Sequence, residues 1–159
     1  MCTICRFFRR LLLGEDDREI TREQGEKAAK EAEELAKEHQ KDKTTYQSPP
    51  KDENTDDCSH FCHTAYQNAG IDVSYHWTAR FAESKEFVEV SADDARAGDV
   101  IYQPRDGGGH VGILTGTTDK KGRIQAWQMG NSGARLGAWG PGGWFAGGDK
   151  AKFYRPLKQ

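Results

Sequence analysis

A chain of 159 residues with a net charge of −2 has room for one domain of ordinary size and an appendage, and no basic surplus to draw it to nucleic acid. Charged residues make up 30% of it and hydrophobic ones 35%, but unevenly: most of the charge precedes residue 57 and most of the aromatics follow it. Four cysteines are too few for a disulfide scaffold, and no apolar run reaches the roughly 18 residues needed to span a bilayer.

The opening MCTICRFFRRLLLGEDD has only the outline of a signal peptide. Arg9 and Arg10 interrupt the apolar stretch, and Leu11 to Leu13 falls short of an h-region of about 7–15 residues. The expectation is a chain without a standard export signal. Residues 15–43 are nearly all helix formers with a thin apolar stripe of Ile20, Ala28, Ala32, Leu35 and Ala36. The Glu26–Lys30 and Glu33–Lys37 pairs support a helix at i,i+4 spacing. Residues 1–43 therefore read as a charged arm, helical and solvated or partly disordered, with docking to a partner as the functional alternative.

The domain proper is expected over 44–159. TTYQSPPKDENTDD (44–57) reads as a loop, broken by Pro49 and Pro50. Asp56 or Asp57 can cap a helix from Cys58 to Asn68 that ends at Ala69-Gly70. Trp77 to Ser84 suggests a second short helix and EFVEV (86–90) an edge strand. GDVIYQP (98–104), HVGILTG (110–116), RIQAWQM (123–129) and AKFYRPL (151–157) read as strands, being β-branched or aromatic and bounded by Gly, Asp or Pro. The glycine-rich stretch 130–148, punctuated by Trp139, Trp144 and Phe145, matches no phosphate-cradling pattern and reads as a long loop, structural or substrate-facing. Helices followed by a run of strands indicate an α+β domain with helices packed on an antiparallel sheet.

The densest chemistry lies in DDCSHFCH (56–63), where two cysteines and two histidines fall within six positions. On a helix each residue turns by about 100°, so Cys58 and Cys62 share a face while His60 and His63 point about 200° and 140° away from Cys58. Four such ligands cannot converge on one zinc ion without outside help, and the Cys2–Cys5 pair lacks the glycine-bearing knuckle of a zinc module. Cys62 then reads as a buried small hydrophobe, and the two histidines as surface or supporting residues. Cys58 differs from the others because it opens the helix. The helix dipole and the unpaired N–H groups there favour a thiolate. A nucleophilic cysteine needs a histidine, and GGGHVGIL places His110 at the head of an apolar strand, after glycines 107–109 that permit close approach by a substrate.

DCSHFCHTAYQNAGI, AGDVIYQP, GHVGILTG and GRIQAW, in that order, resemble the motif set of the NlpC-type cell-wall peptidases within the papain-like cysteine hydrolases. The resemblance covers about residues 46–157. It implies a helix bearing the cysteine packed on a central antiparallel sheet, Cys58 as nucleophile and His110 as general base. The family's third polar residue, usually a histidine, falls on Gln125, with Gln128 and Asn131 as alternatives because the loop before this strand is longer than usual. An upstream tyrosine that serves the oxyanion region and substrate falls on Tyr46, followed by QSPPK in place of Gly-Gly. Asp57, Ser59, His76 and Gly109 are the further candidates for substrate contact.

The implied substrate is the peptidoglycan stem peptide, cut at an amide bond without metal or cofactor. Residue chemistry alone implies only an amide or ester carbonyl. A short catalytic domain without an export signal also resembles the amidase effectors delivered by type VI secretion. Such an effector would be made in the bacterial cytoplasm, act in the periplasm or wall of a target cell, be neutralised at home by an immunity protein, and engage the secretion machine through its N-terminal arm. A phage lysis enzyme, an acyltransferase or deamidase on a related thiol fold, and a zinc-organised or non-catalytic interaction module are the competing readings.

Overall fold

A computed structural model describes residues 18–105, 108–143, 145 and 150–159. Cys2, Cys5, Gly107 and Trp144 lie outside the described residues. Thr21 starts the first helix among the described residues, α1 (Arg22–Asp42), through a reciprocal capping box. Its hydroxyl accepts from the Gln24 N–H, and the Gln24 side chain accepts from the Thr21 N–H.

This helix is not a solvated arm. Ile20, Ala28, Ala32, Leu35 and Ala36 are buried in one cluster with Phe61, Cys62, Tyr66, Val111 and Ile113. The thin stripe of small residues is what allows a close approach. Gly25 meets Gly98 backbone to backbone, and a Cβ on Gly25 would stand 2.3 Å from the Ala97 carbonyl oxygen. Gly98 itself has φ +83°, a left-handed conformation that glycine adopts without strain. The expected division at residue 43 therefore does not separate two packed bodies: α1 shares its core with the domain that follows it.

A loop was expected between the helices, but Thr45–Tyr46 (β1) and Thr55–Asp56 (β2) pair there in parallel. The second helix, α2 (Cys58–Ala69), follows at once and ends at Gly70. Asp57 caps it, its Oδ1 accepting from the Ser59 and His60 N–H groups. The short helix expected over 77–84 contracts to a single 3-10 turn, Thr78–Arg80.

Six strands follow: β3 (Phe87–Val90), β4 (Val100–Gln103), β5 (His110–Thr118), β6 (Ile124–Gly130), β7 (Gly133–Ala138) and β8 (Lys152–Pro156). They form one antiparallel sheet in the order β3-β8-β4-β5-β6-β7. The first half of the expected long loop, residues 130–138, is instead a tight hairpin, because β6 and β7 pair along their length from Gln125↔Ala138 to Gly130↔Gly133. Both helices cover one face. Val100, Val111, Ile113, Met129 and Tyr154 point into that helix-side core. The alternate residues Ile101, Leu114, Ala126 and Phe153 form a second cluster with Phe145.

The aspartate of AGDVIYQP is an anchor. Arg155, fully buried on β8, meets Asp99 Oδ1 through Nε and Oδ2 through Nη2, both at 2.9 Å, and its Nη1 meets Glu19 Oε2 at 2.6 Å. The N-terminal stretch is tied in at the same place. Ile20 N–H donates to the Pro156 carbonyl at 3.1 Å, and Lys158 N–H donates to the Arg18 carbonyl at 2.6 Å.

Candidate active site

Cys58 is the first residue of α2 and is 3% exposed. Three groups converge on its sulfur. Thr78 Oγ1 lies 3.4 Å away, the Val111 N–H reaches it from the strand, and the Tyr46 hydroxyl reaches it from β1. Asp57 uses its carboxylate on the Ser59 and His60 N–H groups, which leaves the Cys58 N–H outside the cap. Burial pushes the thiol pKa up, ahead of the three donors that pull it down, and the Asp57 charge adds to the rise. The thiolate expected from the helix N-terminus is thus not the resting form. The sulfur rests as a buried thiol ringed by groups that can stabilise its anion.

Val111 is also the covalent link to the histidine. It follows His110 directly, and neighbouring strand residues face opposite sides: Val111 packs with Cys58 in the helix-side core, while His110 turns to the side of Leu114, Ala126 and Phe145, so the structure does not bring the thiol and the imidazole into contact. His110 is 5% exposed, and its Nε2 lies 2.8 Å from Gln128 Oε1. An amide oxygen only accepts, so Nε2 carries the ring hydrogen and Nδ1 is the basic nitrogen of the neutral ring. The Phe145 ring lies against the imidazole, with centroids 5.3 Å apart. Burial pulls the His110 pKa down to about 4, against the pull of Gln128, and Arg105 and Arg135 lower it further. Both members of the pair therefore rest uncharged at neutral pH.

The expected third residue, Gln125, is not the partner of His110. The register pairs Ile113 with Trp127 and Leu114 with Ala126, so His110, Gly112 and Leu114 share a face with Ala126 and Gln128. Gln125 lies on the opposite face, where its Oε1 accepts from the Thr117 hydroxyl at 3.1 Å. Gln128, one of the two alternatives, is fully buried against the imidazole instead.

The substrate candidates fare unevenly. Tyr46 is half-buried beside Cys58, and its phenol pKa is pushed up to about 12 by burial and by the neighbouring thiol and carboxylate. Asp57 and Ser59 are buried and spent on each other and on the cap: Ser59 Oγ donates to Asp57 Oδ1 at 2.8 Å, and Ser48 Oγ donates to Asp57 Oδ2 at 2.9 Å. They frame the nucleophile and present nothing to a substrate. His76 is engaged by Glu86 and Ser84. Gly109 has φ +92°, and a Cβ there would stand 2.6 Å from the Tyr102 ring, so the glycine is needed for the chain to enter β5.

The other members of the cysteine–histidine cluster separate. Cys62 is fully buried beneath Cys58. His60 Nδ1 and His39 Nε2 share the Asp56 carboxylate, at 2.8 and 2.7 Å, which ties α1 to α2. Thr78 gave no signal in the sequence, since it lies twenty residues from Cys58 in a short irregular stretch.

Helices on one face of an antiparallel sheet, with the candidate nucleophile opening a helix against that sheet, make this a domain of the papain-like α+β class. The family model described as NlpC/P60 family matches residues 43–125, just over half of the chain, and the chain belongs to that family. The family is generally one of cysteine peptidases. The match takes in Tyr46, Cys58 and His110 and ends at Gln125, three residues short of Gln128. A search of curated proteins found no match.

Proposed function

We propose that this chain is a cysteine amidase or endopeptidase that cuts amide bonds in peptidoglycan stem peptides. The observation that carries the reading is the surroundings of Cys58: a helix-opening thiol that meets the Val111 N–H, the Thr78 hydroxyl and the Tyr46 phenol. Cys58 Sγ bonds to Thr78 rather than to His110, whose ring lies against Phe145 on the other side of the sheet, so the proposed proton transfer requires a movement that brings His110 Nδ1 to the sulfur. His110 takes the Cys58 proton, and the thiolate attacks the amide carbonyl carbon. The Cys58 N–H and the Tyr46 hydroxyl are the donors at hand for the oxyanion. As the C–N bond breaks, the protonated imidazole gives its proton to the leaving amine. Water, deprotonated by His110, then opens the thioester and restores the thiol.

Within the N-terminal arm on which a secretion-machine partner was expected to dock, α1 gives its apolar stripe to the core. An antibacterial role in the periplasm, held in check by an immunity protein, remains part of the proposal because the substrate lies in that compartment. It predicts toxicity when the chain is directed to the periplasm and little when it is kept in the cytoplasm.

The test of the chemistry is mass spectrometry of purified peptidoglycan fragments after digestion by the wild type and by Cys58→Ala and His110→Ala. New amide-cleaved products from the wild type alone are expected. Intact fragments with folded wild type would remove the substrate assignment.

A further inference from the structure

Tyr75 and Trp77 stand beside the nucleophile, and no step of the proposed chemistry uses them. Trp77 is 65% exposed and Tyr75 39%, and among the described residues Leu136 is the only other large apolar side chain so open. Single exposed apolar residues need no explanation, but these two flank the thiol. Trp77 directly precedes Thr78, whose Oγ1 lies 3.4 Å from Cys58 Sγ. The Tyr75 hydroxyl lies 3.3 Å from the Oγ of Ser59, the residue after Cys58. Ser59 has spent its own hydrogen on Asp57, so the phenol donates. The Tyr75 ring also meets the rings of His60 and His63 edge to face, with centroids 6.0 and 5.7 Å apart.

The segment that carries the two aromatics is fixed through its alternate residues. Ser74 gives its N–H to the Glu86 carboxylate at 3.2 Å and its hydroxyl at 3.0 Å. His76 is held by the same carboxylate and packs against the rings of Phe81 and Phe87. Thr78 meets the sulfur. Trp77 itself is extended, with φ −60° and ψ 149°, and its carbonyl accepts from the Arg80 N–H at 2.8 Å. The indole is thus presented from a backbone already in place, which reduces the ordering cost of binding.

We propose that Tyr75 and Trp77 form an aromatic wall that takes a sugar ring of the glycan to which the stem peptide is attached. This rests on the reading of the chain as a peptidoglycan amidase or endopeptidase, and it names the form of substrate preferred: a peptide that still carries its sugar. The argument is one of shape and polarity. A broad indole face in water is best covered by a flat, weakly polar surface. A stem peptide of small and charged residues offers no such surface. A pyranose ring does, with C–H groups on its face and hydroxyls at its rim. The half-exposed His60 ring, next to Tyr75, is a polar neighbour for that rim.

Two stem peptides of identical sequence, one bearing its N-acetylated disaccharide and one bare, test this with full-length wild type, Trp77→Ala and Trp77→Phe. Trp77 lies largely outside the packed core, so neither change should disturb the fold. The wild type should show a KM lower by roughly tenfold for the sugar-bearing peptide, the order of one stacked aromatic contact. Trp77→Ala should lose that difference, and Trp77→Phe should keep most of it. Equal KM values for the two substrates with the wild type overturn the proposal. So does an equal rise for both with Trp77→Ala, which would put the indole on the peptide. Failure of the proposed function looks different, since there the wild type cuts neither substrate. Binding then decides: a soluble N-acetylglucosamine tetramer, titrated into protein with nitrogen-labelled tryptophan, should shift the indole resonance that Trp77→Phe removes, and an unmoved resonance overturns the wall.

Discussion

Gln128 Oε1 holds His110 Nε2 at 2.8 Å, with both side chains buried. The bond selects one tautomer and aims Nδ1 away from the amide. An uncharged acceptor does this without the electrostatic pull of a carboxylate or a second imidazole. Gln128→Ala should therefore fold and lose activity on the order of a hundredfold, the lower end of what a positioned general base contributes. Gln125→Ala should leave the rate of amide cleavage within about twofold, since its side chain serves Thr117 on the other face. Equal losses from the two variants would reverse this assignment.

The neutral state of His110 makes the fold acid-sensitive. The unfolded ring takes up a proton near the ordinary histidine pKa of about 6.5, whereas the buried ring does so only near about 4. Between those values the unfolded chain binds more protons, so stability falls as pH falls through that window. A shift of that size corresponds to roughly 3 kcal/mol. His60 acts in the opposite sense: its bond to Asp56 raises its pKa, so its contribution is fully present at low pH and fades as pH rises. Urea unfolding at pH 7 and pH 4.5 should show a larger acid loss for the wild type than for His110→Asn. Parallel losses would mean that the ring is already charged in the folded protein.

Thr78 is the stabiliser of the Cys58 anion that the sequence did not announce. Its hydroxyl lies 3.4 Å from the sulfur and lowers a thiol pKa that burial has raised. Thr78→Val keeps the shape and removes the donor. Hydrogen bonds to charged groups are worth about 1.5–3 kcal/mol, so the midpoint of iodoacetamide labelling against pH should move up by roughly one unit or more. An unchanged labelling profile with the same melting temperature would place the hydroxyl outside the chemistry.

Gly25 tests whether α1 belongs to the domain. A methyl group there would meet the Ala97 backbone, which cannot swing aside as a side chain can. Gly25→Ala should cost roughly 1–3 kcal/mol by overpacking, read as a lower urea midpoint with an unchanged slope. Alanine on the open helix surface, as in Lys27→Ala, should stay within about 0.5 kcal/mol of the wild type. A chain cut back to residues 44–159 should lose its cooperative transition altogether, because Ala28, Ala32, Leu35 and Ala36 leave a bare face on α2 and the sheet.

What could be read in advance follows from where information is local. Cys58 and Asp57 were legible because a cap and a helix start are written in adjacent residues. His110 was legible because three glycines and an apolar run mark the head of a strand. The hydrogen-bond partner of His110 was not, because Gln125 and Gln128 differ only in which face of β6 they occupy, and that depends on the register with β5 set by Ile113↔Trp127. The role of α1 was hidden by its alanines. They add little apolar character to a sequence average, yet they are what lets a helix lie close against a sheet. The β6–β7 hairpin was hidden for a related reason, since glycines read as loop while here they turn the chain between paired strands.

The contacts of Arg18 with Lys158 and of Ile20 with Pro156 bring the two ends of the described chain side by side, a single bridge between Glu19 and Leu157 closing the seam. The fold is thus nearly a ring in connectivity. A circular permutant that splices residue 159 to residue 18 and opens at Lys120–Lys121, in the exposed turn between β5 and β6, retains every strand pairing. Cargo fused at residue 18 and at residue 159 emerges from one corner, so two different modules attached there would be held as neighbours.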